Sequence, residues 1–140
     1  MKYRTILCED NAYVRDVFLF VLEERGHEVF SYEDPADCPL SSITECKCNG
    51  MYNCSDIIIS DVSMPLVNGL EFVENLRGKG CKVKNIALVS GYWTKKDISR
   101  AKELECTVFY KPLGPEALNE WLYNCEKNMD PQRVLLNKLP

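Results

Sequence analysis

The sequence predicts an α/β fold in which a five-stranded parallel sheet carries helices on both faces. Segments rich in β-branched residues alternate with segments of helical periodicity along most of the chain. The segment at residues 56–60 contains three consecutive isoleucines, as expected of a strand that is buried on both faces. Such alternation is typical of repeated β-α units, whose strands pair in parallel.

Strand-like segments define the sheet, and they fall at residues 3–8, 28–32, 56–60, 85–90 and 107–110. A first helix is predicted over 11–25, where apolar residues recur at helical spacing and Gly26 is placed to end it. The second helix is weakly indicated, as a short piece around 40–45. It lies in an irregular, cysteine-rich segment at 34–55 that contains two prolines and an Asn-Gly pair.

Three further helices are predicted, at residues 70–77, from 94 to about 104, and from 114 onward. The Asn68-Gly69 turn precedes the first of them. Thr94 and Asp97 resemble a capping box at the start of the next, and Pro115 suits the first turn of the last. We expect one domain over 1–127 and a loosely held tail over 128–140.

Bulk composition narrows the classes of partner. The chain has 140 residues and a net charge of -4, and no dense basic run, which argues against direct nucleic-acid binding. The longest apolar run, at 17–22, is far too short to span a membrane, and no secretion signal is recognisable. We therefore expect a cytoplasmic protein whose eight cysteines are reduced thiols or metal ligands.

Three acids follow predicted strands at what should be one edge of the sheet. Glu9 and Asp10 follow the first strand, and Asp61 follows the third. Ligand sites of such sheets lie beyond the carboxyl ends of the strands, so these side chains should gather there. Clustered carboxylates repel one another unless a cation bridges them, and hard oxygen ligands suit Mg²⁺.

Two more polar residues end strands at the same edge. Ser90 ends the fourth strand, and Lys111-Pro112 follows the fifth, through a peptide bond that could be cis. A lysine ammonium can pair with a phosphate oxygen, and a serine hydroxyl can donate a hydrogen bond to another. Taken alone, each of these residues would be read as a turn former or a surface charge; their convergence predicts a phosphate-handling site.

The chain resembles the receiver domains of response regulators from two-component signalling. Four motifs carry the resemblance, in the family's order and spacing: Cys8-Glu9-Asp10-Asn11, Ser60-Asp61-Val62-Ser63-Met64-Pro65 with Asn68-Gly69, Val89-Ser90-Gly91 and Tyr110-Lys111-Pro112-Leu113. The resemblance spans about residues 1–127. It implies the flavodoxin-like doubly wound sheet of order 2-1-3-4-5.

The resemblance also implies roles for the gathered acids. Asp61 would be the phosphoacceptor, a carboxylate nucleophile that forms an aspartyl phosphate. Asp10 and Asp61 would bind Mg²⁺ directly, with the backbone carbonyl of Ser63 as a third ligand. Glu9 would act through a bound water. Lys111 would pair with the phosphoryl group.

By the same resemblance, Ser90 would swing toward the phosphoryl group and report its arrival. The donor would be a histidine kinase or phosphotransfer protein. We expect a stand-alone receiver, not an enzyme beyond its own phosphorylation and dephosphorylation. It would signal through an unknown output protein docked on the fourth helix, fifth strand and fifth helix, or act as a phosphate sink. Val108 stands where the family often has an aromatic residue that couples phosphorylation to this face.

The irregular segment suggests a second chemistry. Cys38, Cys46, Cys48 and Cys54 could bind Zn²⁺ or an iron–sulfur cluster, or pair as redox-active disulfides, although they lack the paired C-x-x-C spacing of zinc modules. The alternative function is thus a metal- or redox-responsive interaction module. The other cysteines are predicted to be apolar fillers: Cys8, Cys81, Cys106 and Cys125. A phosphatase-like hydrolase would need an Asp-x-Asp motif after the first strand, where this chain has Glu9-Asp10-Asn11.

Overall fold

One parallel sheet of five strands organises the molecule in a computed structural model that describes residues 2–49, 51–63 and 66–136. In chain order the strands are β1 (Tyr3–Cys8), β2 (His27–Tyr32), β3 (Tyr52–Asn53), β4 (Ile57–Asp61), β5 (Asn85–Ser90), β6 (Cys106–Tyr110) and β7 (Val134–Leu135). The large sheet has the order β2-β1-β4-β5-β6, and β3 pairs with β7 in a separate two-stranded sheet. Apart from this small addition, the predicted order is confirmed.

Four α-helices connect and cover the strands: α1 (Ala12–Glu24), α2 (Gly69–Gly78), α3 (Lys95–Glu103) and α4 (Pro115–Lys127). Local sequence explains their ends. The Asn11 side chain accepts a hydrogen bond of 3.0 Å from the backbone N–H of Val14, and Thr94 caps α3 in the same way. Gly26 has a φ of +81°, a conformation that only glycine adopts without strain, so the chain can leave α1 and enter β2.

The sheet separates two apolar cores, because alternate residues of a strand point to opposite faces. Ile59 of β4 faces the core beneath α1 and α4, where Phe18 and Leu118 are buried. Its neighbour Ile58 faces the core beneath α2 and α3, which also includes Leu40 of the irregular segment. The isoleucine run therefore serves both cores, as predicted for a strand buried on both faces.

The predicted short helix at 40–45 is wrong. In its place are two single-turn 3₁₀ helices, Pro35–Asp37 and Pro39–Ser41, each beginning with a proline. Proline suits the first turn of a helix, but it supplies no N–H to extend a preceding one, so the two prolines break this segment into separate turns. The irregular segment itself covers this part of the sheet, with Leu40 buried in the core beneath α2 and α3.

The predicted loose tail packs against the domain as far as residue 136. Strand β7 pairs with β3, and the Arg133 guanidinium donates two hydrogen bonds of 2.7 Å to the Asp56 carboxylate. The tail's last residues, 137–140, and Met64-Pro65 of the second motif lie outside the described residues. Among the described helices, none has the length and apolar character needed to cross a bilayer.

Candidate functional site

The three acids predicted to gather do so at the carboxyl edge of the sheet. Carboxylate oxygens of Glu9, Asp10 and Asp61 all lie within 4.8 Å of one another. Asp61 is the last residue of β4, and Glu9 directly follows β1; both are buried, whereas Asp10 is exposed. The pairing of β1 with β4 explains the meeting, because it aligns Cys8 with Ser60 and so brings the following acids side by side.

Lys111 supplies the positive charge of this cluster. Its Nζ donates hydrogen bonds to Asp61 Oδ2 at 2.6 Å and to Glu9 Oε1 at 3.3 Å. Partial burial opposes ionisation, but the hydrogen bond and charge of Asp61, with those of Glu9, outweigh it and raise the pKa of Lys111. The lysine follows β6, held by its backbone N–H on the Ser90 carbonyl at 2.9 Å, and its bond to Pro112 is cis.

Charge balance at the cluster leaves room for a divalent cation. Three ionised carboxylates face one ammonium, so two negative charges would remain uncompensated. Burial, followed by the hydrogen bond and charge of Asp61, raises the pKa of Glu9 to about 7. Protonation of Glu9 would reduce its repulsion with Asp61, and a bound cation would reduce the same repulsion. The all-oxygen donor set, partly open at Asp10, fits Mg²⁺.

A further acid, Asp34, holds the loop that follows Asp61, and the sequence prediction missed it. Asp34 is buried and follows β2 at the same edge of the sheet. Its carboxylate accepts backbone N–H bonds from Leu66 at 2.8 Å and Val67 at 3.1 Å. The signal was available, because Asp34 closely follows a predicted strand at this edge. Ser63 lies in the same loop, exposed, with its role as a carbonyl ligand untested.

Ser90 lies at the predicted edge, and its hydroxyl is engaged within its own turn. Its hydroxyl donates to the Tyr92 carbonyl oxygen at 2.9 Å and accepts from the Tyr92 N–H at 3.2 Å. The next residue, Trp93, is buried and donates its indole N–H to the Phe109 carbonyl oxygen at 2.9 Å. The turn after β5 is therefore tied to β6. Val108 is partly buried against the core beneath α2 and α3.

The cysteine set differs from the predicted one. Sulfur atoms of Cys46, Cys48, Cys54 and Cys81 lie within 4.8 Å of one another, and all four residues are buried; we call them the four-thiol cluster. Cys81, predicted to be an apolar filler, replaces Cys38. All eight cysteines lie in the described ranges, and all are free thiols.

Cys38 is excluded by the path of the chain. It comes soon after β2, at the carboxyl edge of the sheet, and packs in the same core as Cys8, the last residue of β1. Burial, followed by the neighbouring Cys38, raises the pKa of the Cys8 thiol. The chain then crosses toward the opposite edge before β4 begins. The later cysteines therefore meet Cys81, which precedes β5 at that opposite edge.

Comparisons with known proteins agree with this geometry. The sequence model of the response regulator receiver domain matches residues 5–123. The chain is 28% identical over 128 residues to the transcriptional regulatory protein FlgR of Helicobacter pylori, covering 91% of this chain and 30% of that protein. It is 30% identical over 125 residues to the alkaline phosphatase synthesis transcriptional regulatory protein SphR of Synechococcus elongatus, covering 82% and 45%.

Solved structures share the fold. The chemotaxis protein CheY4 of Vibrio cholerae has a TM-score of 0.71 at 24% identity, covering 89% of this chain and 99% of that one. The chain spans less than half the length of the curated relatives that it matches.

Proposed function

Because this chain belongs to the response regulator receiver domain family of two-component signalling, we propose that it is a cytoplasmic phosphorylation switch with Asp61 as the phosphoacceptor. One observation carries the proposal: the buried Asp61 carboxylate lies 2.6 Å from the Lys111 ammonium within a cluster of three acids. The donor would be the phosphohistidine of a histidine kinase or phosphotransfer protein. The chain's only chemistry would be its own phosphorylation and dephosphorylation.

The acids suit a magnesium-dependent reaction. Asp10, Asp61 and the Ser63 carbonyl would hold Mg²⁺ directly, with Glu9 acting through water, and the bound ion would neutralise the carboxylates and the phosphoryl oxygens. The attacking group is the carboxylate of Asp61, and the Lys111 ammonium lies 2.6 Å from its Oδ2 atom. The exposed Asp10 leaves one side of the cluster open to solvent and to a donor.

The transfer itself is a displacement at phosphorus. A carboxylate oxygen of Asp61 bonds to the phosphorus as the bond from phosphorus to the donor histidine nitrogen breaks, and the nitrogen keeps that electron pair. Lys111 forms an ion pair with Asp61 in this structure, and after the transfer its ammonium would pair with a phosphoryl oxygen instead. With the carboxylate form of Asp61 as the nucleophile, the transfer releases no proton from this residue.

Readout would begin at Ser90. Its hydroxyl now bonds within its own turn, so moving toward the phosphoryl group requires it to leave the Tyr92 backbone. That turn is tied to β6 by Trp93, which gives a path toward the surface formed by α3, β6 and α4. We propose that an output partner docks on this surface and reads the shift in its conformation, or that the chain drains phosphoryl groups from its kinase.

Labelling with acetyl phosphate and Mg²⁺ tests the assignment. Intact-mass spectrometry should show one added phosphoryl group, mapped to Asp61, and none on Asp61→Asn. Asp16→Asn, a change of an exposed aspartate on α1, should be labelled like the parent chain. Equal labelling of Asp61→Asn, or mapping of the group to another residue, would refute the proposed nucleophile.

A further inference from the structure

The four-thiol cluster has the dimensions of a site for one tetrahedral metal ion. Its sulfur atoms lie within 4.8 Å of one another, and those of Cys46 and Cys48 are 3.3 Å apart. Four thiolates bound to one Zn²⁺ at about 2.3 Å stand about 3.8 Å apart by tetrahedral geometry. In a cubane iron–sulfur cluster each thiolate binds a different iron, which spreads the sulfurs more widely than four ligands on one ion.

A backbone amide points at one of the sulfurs, as expected beside a thiolate. The Cys54 N–H donates to Cys48 Sγ at 3.2 Å. Such N–H donors stabilise the ionised form of a thiol, which is the form that binds a metal. Buried cysteines that serve only as apolar filling need no donors of this kind.

Two separate segments supply the ligands, and hydrogen bonds already hold the segments together. The Cys46 N–H donates to the Lys79 carbonyl oxygen at 2.8 Å, and the Lys79 ammonium reaches the Leu40 and Ser41 carbonyls. Gly80 makes the turn into Cys81 with a φ of +94°. The loop that carries Cys46 is therefore fixed against the end of α2, so the thiols are preorganised.

We propose that Cys46, Cys48, Cys54 and Cys81 bind one Zn²⁺ as a structural site. Binding would exchange thiol protons for the ion and cross-link the irregular segment to the turn after α2. Over its described residues, 34–49 and 51–55, that segment has only 3₁₀ turns and the two-residue strand β3 as regular structure, so a metal cross-link supplies order that a helix would otherwise provide.

The proposed site is independent of the phosphoacceptor. Cys54 and Cys81 precede β4 and β5, whereas Asp61 and Ser90 end those strands. The two sites thus lie at opposite edges of the sheet. Zinc binding should survive Asp61→Asn, so each proposal can fail without the other.

Metal analysis of the full chain, purified without a metal-affinity tag, is the first test. We expect one zinc per chain in the parent protein and in Cys38→Ala, the matched change of a buried loop thiol outside the cluster. Cys81→Ala should lose its zinc. Three results would overturn the proposal. One is zinc loss from Cys38→Ala alone, and another is a zinc-free parent protein that also takes up no added Zn²⁺. The third is one iron per chain in place of zinc.

Thiol alkylation of the parent chain avoids any variant that fails to fold. N-ethylmaleimide should leave the four cluster cysteines unmodified until a zinc chelator is added, and should then modify them as the metal is released. Cys106 and Cys125, which lie outside the irregular segment, serve as internal references whose reactivity should not change. An identical alkylation pattern with and without chelator, or a disulfide within the cluster, would contradict a zinc site.

Discussion

At the scale of single residues, the acidic cluster brings carboxylates into close and unfavourable contact. Glu9 is only 2% exposed, and it lies beside the equally buried Asp61. Burial and this neighbour raise its pKa to about 7, while Lys111 acts in the opposite direction. Proteins retain such arrangements where a cation or a phosphoryl group is to be bound.

The first prediction concerns stability against pH in the absence of Mg²⁺. Glu9 has a pKa of about 7 in the folded chain against an ordinary value of 4.5, so the folded state binds more protons between these pH values. Stability should therefore fall as the pH rises from about 4.5 to about 7, by up to about 3 kcal/mol, and stay level above that.

Urea unfolding at about pH 5 and about pH 8 measures this effect. Glu9→Gln should remove most of the loss of stability, whereas Glu23→Gln, a change of an exposed residue of α1, should retain it. Equal pH dependence in the parent chain and Glu9→Gln would show that another group is responsible.

The second prediction concerns Lys111. Lys111→Ala should slow labelling by acetyl phosphate about 10-fold or more, because the ammonium that would meet the phosphoryl charge is lost. Lys96→Ala, which removes an exposed lysine from α3, is the matched control and should be labelled at the parent rate. Unchanged labelling of a folded Lys111→Ala chain would remove the lysine from the proposed mechanism.

At the scale of elements, the start of α2 is pressed against the end of β4. The Gly69 N–H donates to the Val62 carbonyl oxygen at 2.9 Å, just beyond Asp61. A Cβ at Gly69 would overlap the backbone carbonyl oxygen of Asp61 and lie 2.9 Å from Ser60 Oγ. Only glycine lets the helix approach so closely. The Asn68-Gly69 turn therefore helps to hold Asp61 in position.

The third prediction compares two glycines of the same helix. Gly69→Ala should destabilise the chain by about 2 kcal/mol or more and slow labelling, because the backbone of Asp61 must shift. Gly78→Ala, where a Cβ meets nothing within 4 Å, should be neutral or stabilise by up to about 1 kcal/mol. Denaturant unfolding measures both, and equal stability of the two variants would contradict the close approach.

At the scale of the whole molecule, an ion pair at the amino edge of the sheet joins the residues beyond α4 to the start of β4. The Asp56 side chain is fully buried and accepts from Arg133 and from the Arg4 backbone N–H at 3.0 Å. The Arg4 guanidinium in turn donates to the Leu136 carbonyl oxygen at 2.7 Å. Residues beyond α4 are therefore part of the folded unit, although the family match ends at residue 123.

The fourth prediction tests the ion pair between Asp56 and Arg133. Arg133→Ala should destabilise the chain by about 3 kcal/mol, because it leaves the Asp56 carboxylate buried without its charged partner. Arg100→Ala removes an arginine whose ion pairs with Glu74 and Glu103 are solvent-exposed, and it should cost less than about 1 kcal/mol. Thermal or urea unfolding compares them, and similar losses would show that burial of the Asp56 pair is unimportant.

The sequence by itself determined the sheet, its order through the family resemblance, and the edge at which Asp61, Asp10 and Lys111 meet. It could do so because strand and helix patterns are local, and because the carboxyl ends of parallel strands must share one edge. The roles of these residues follow from chemistry and resemblance, and they stay predictions until labelling is measured.

Only the tertiary structure decided which thiols meet and where the tail lies. Cys81 joins Cys46, and Arg133 joins Asp56, across segments that are far apart in sequence and show no periodicity to relate them. The direction of the Ser90 hydroxyl and the raised pKa of Glu9 could not be predicted from the sequence either, because both depend on neighbours within a few ångströms. Local pattern sets the elements, whereas burial and distance between elements set which side chains can react or bind.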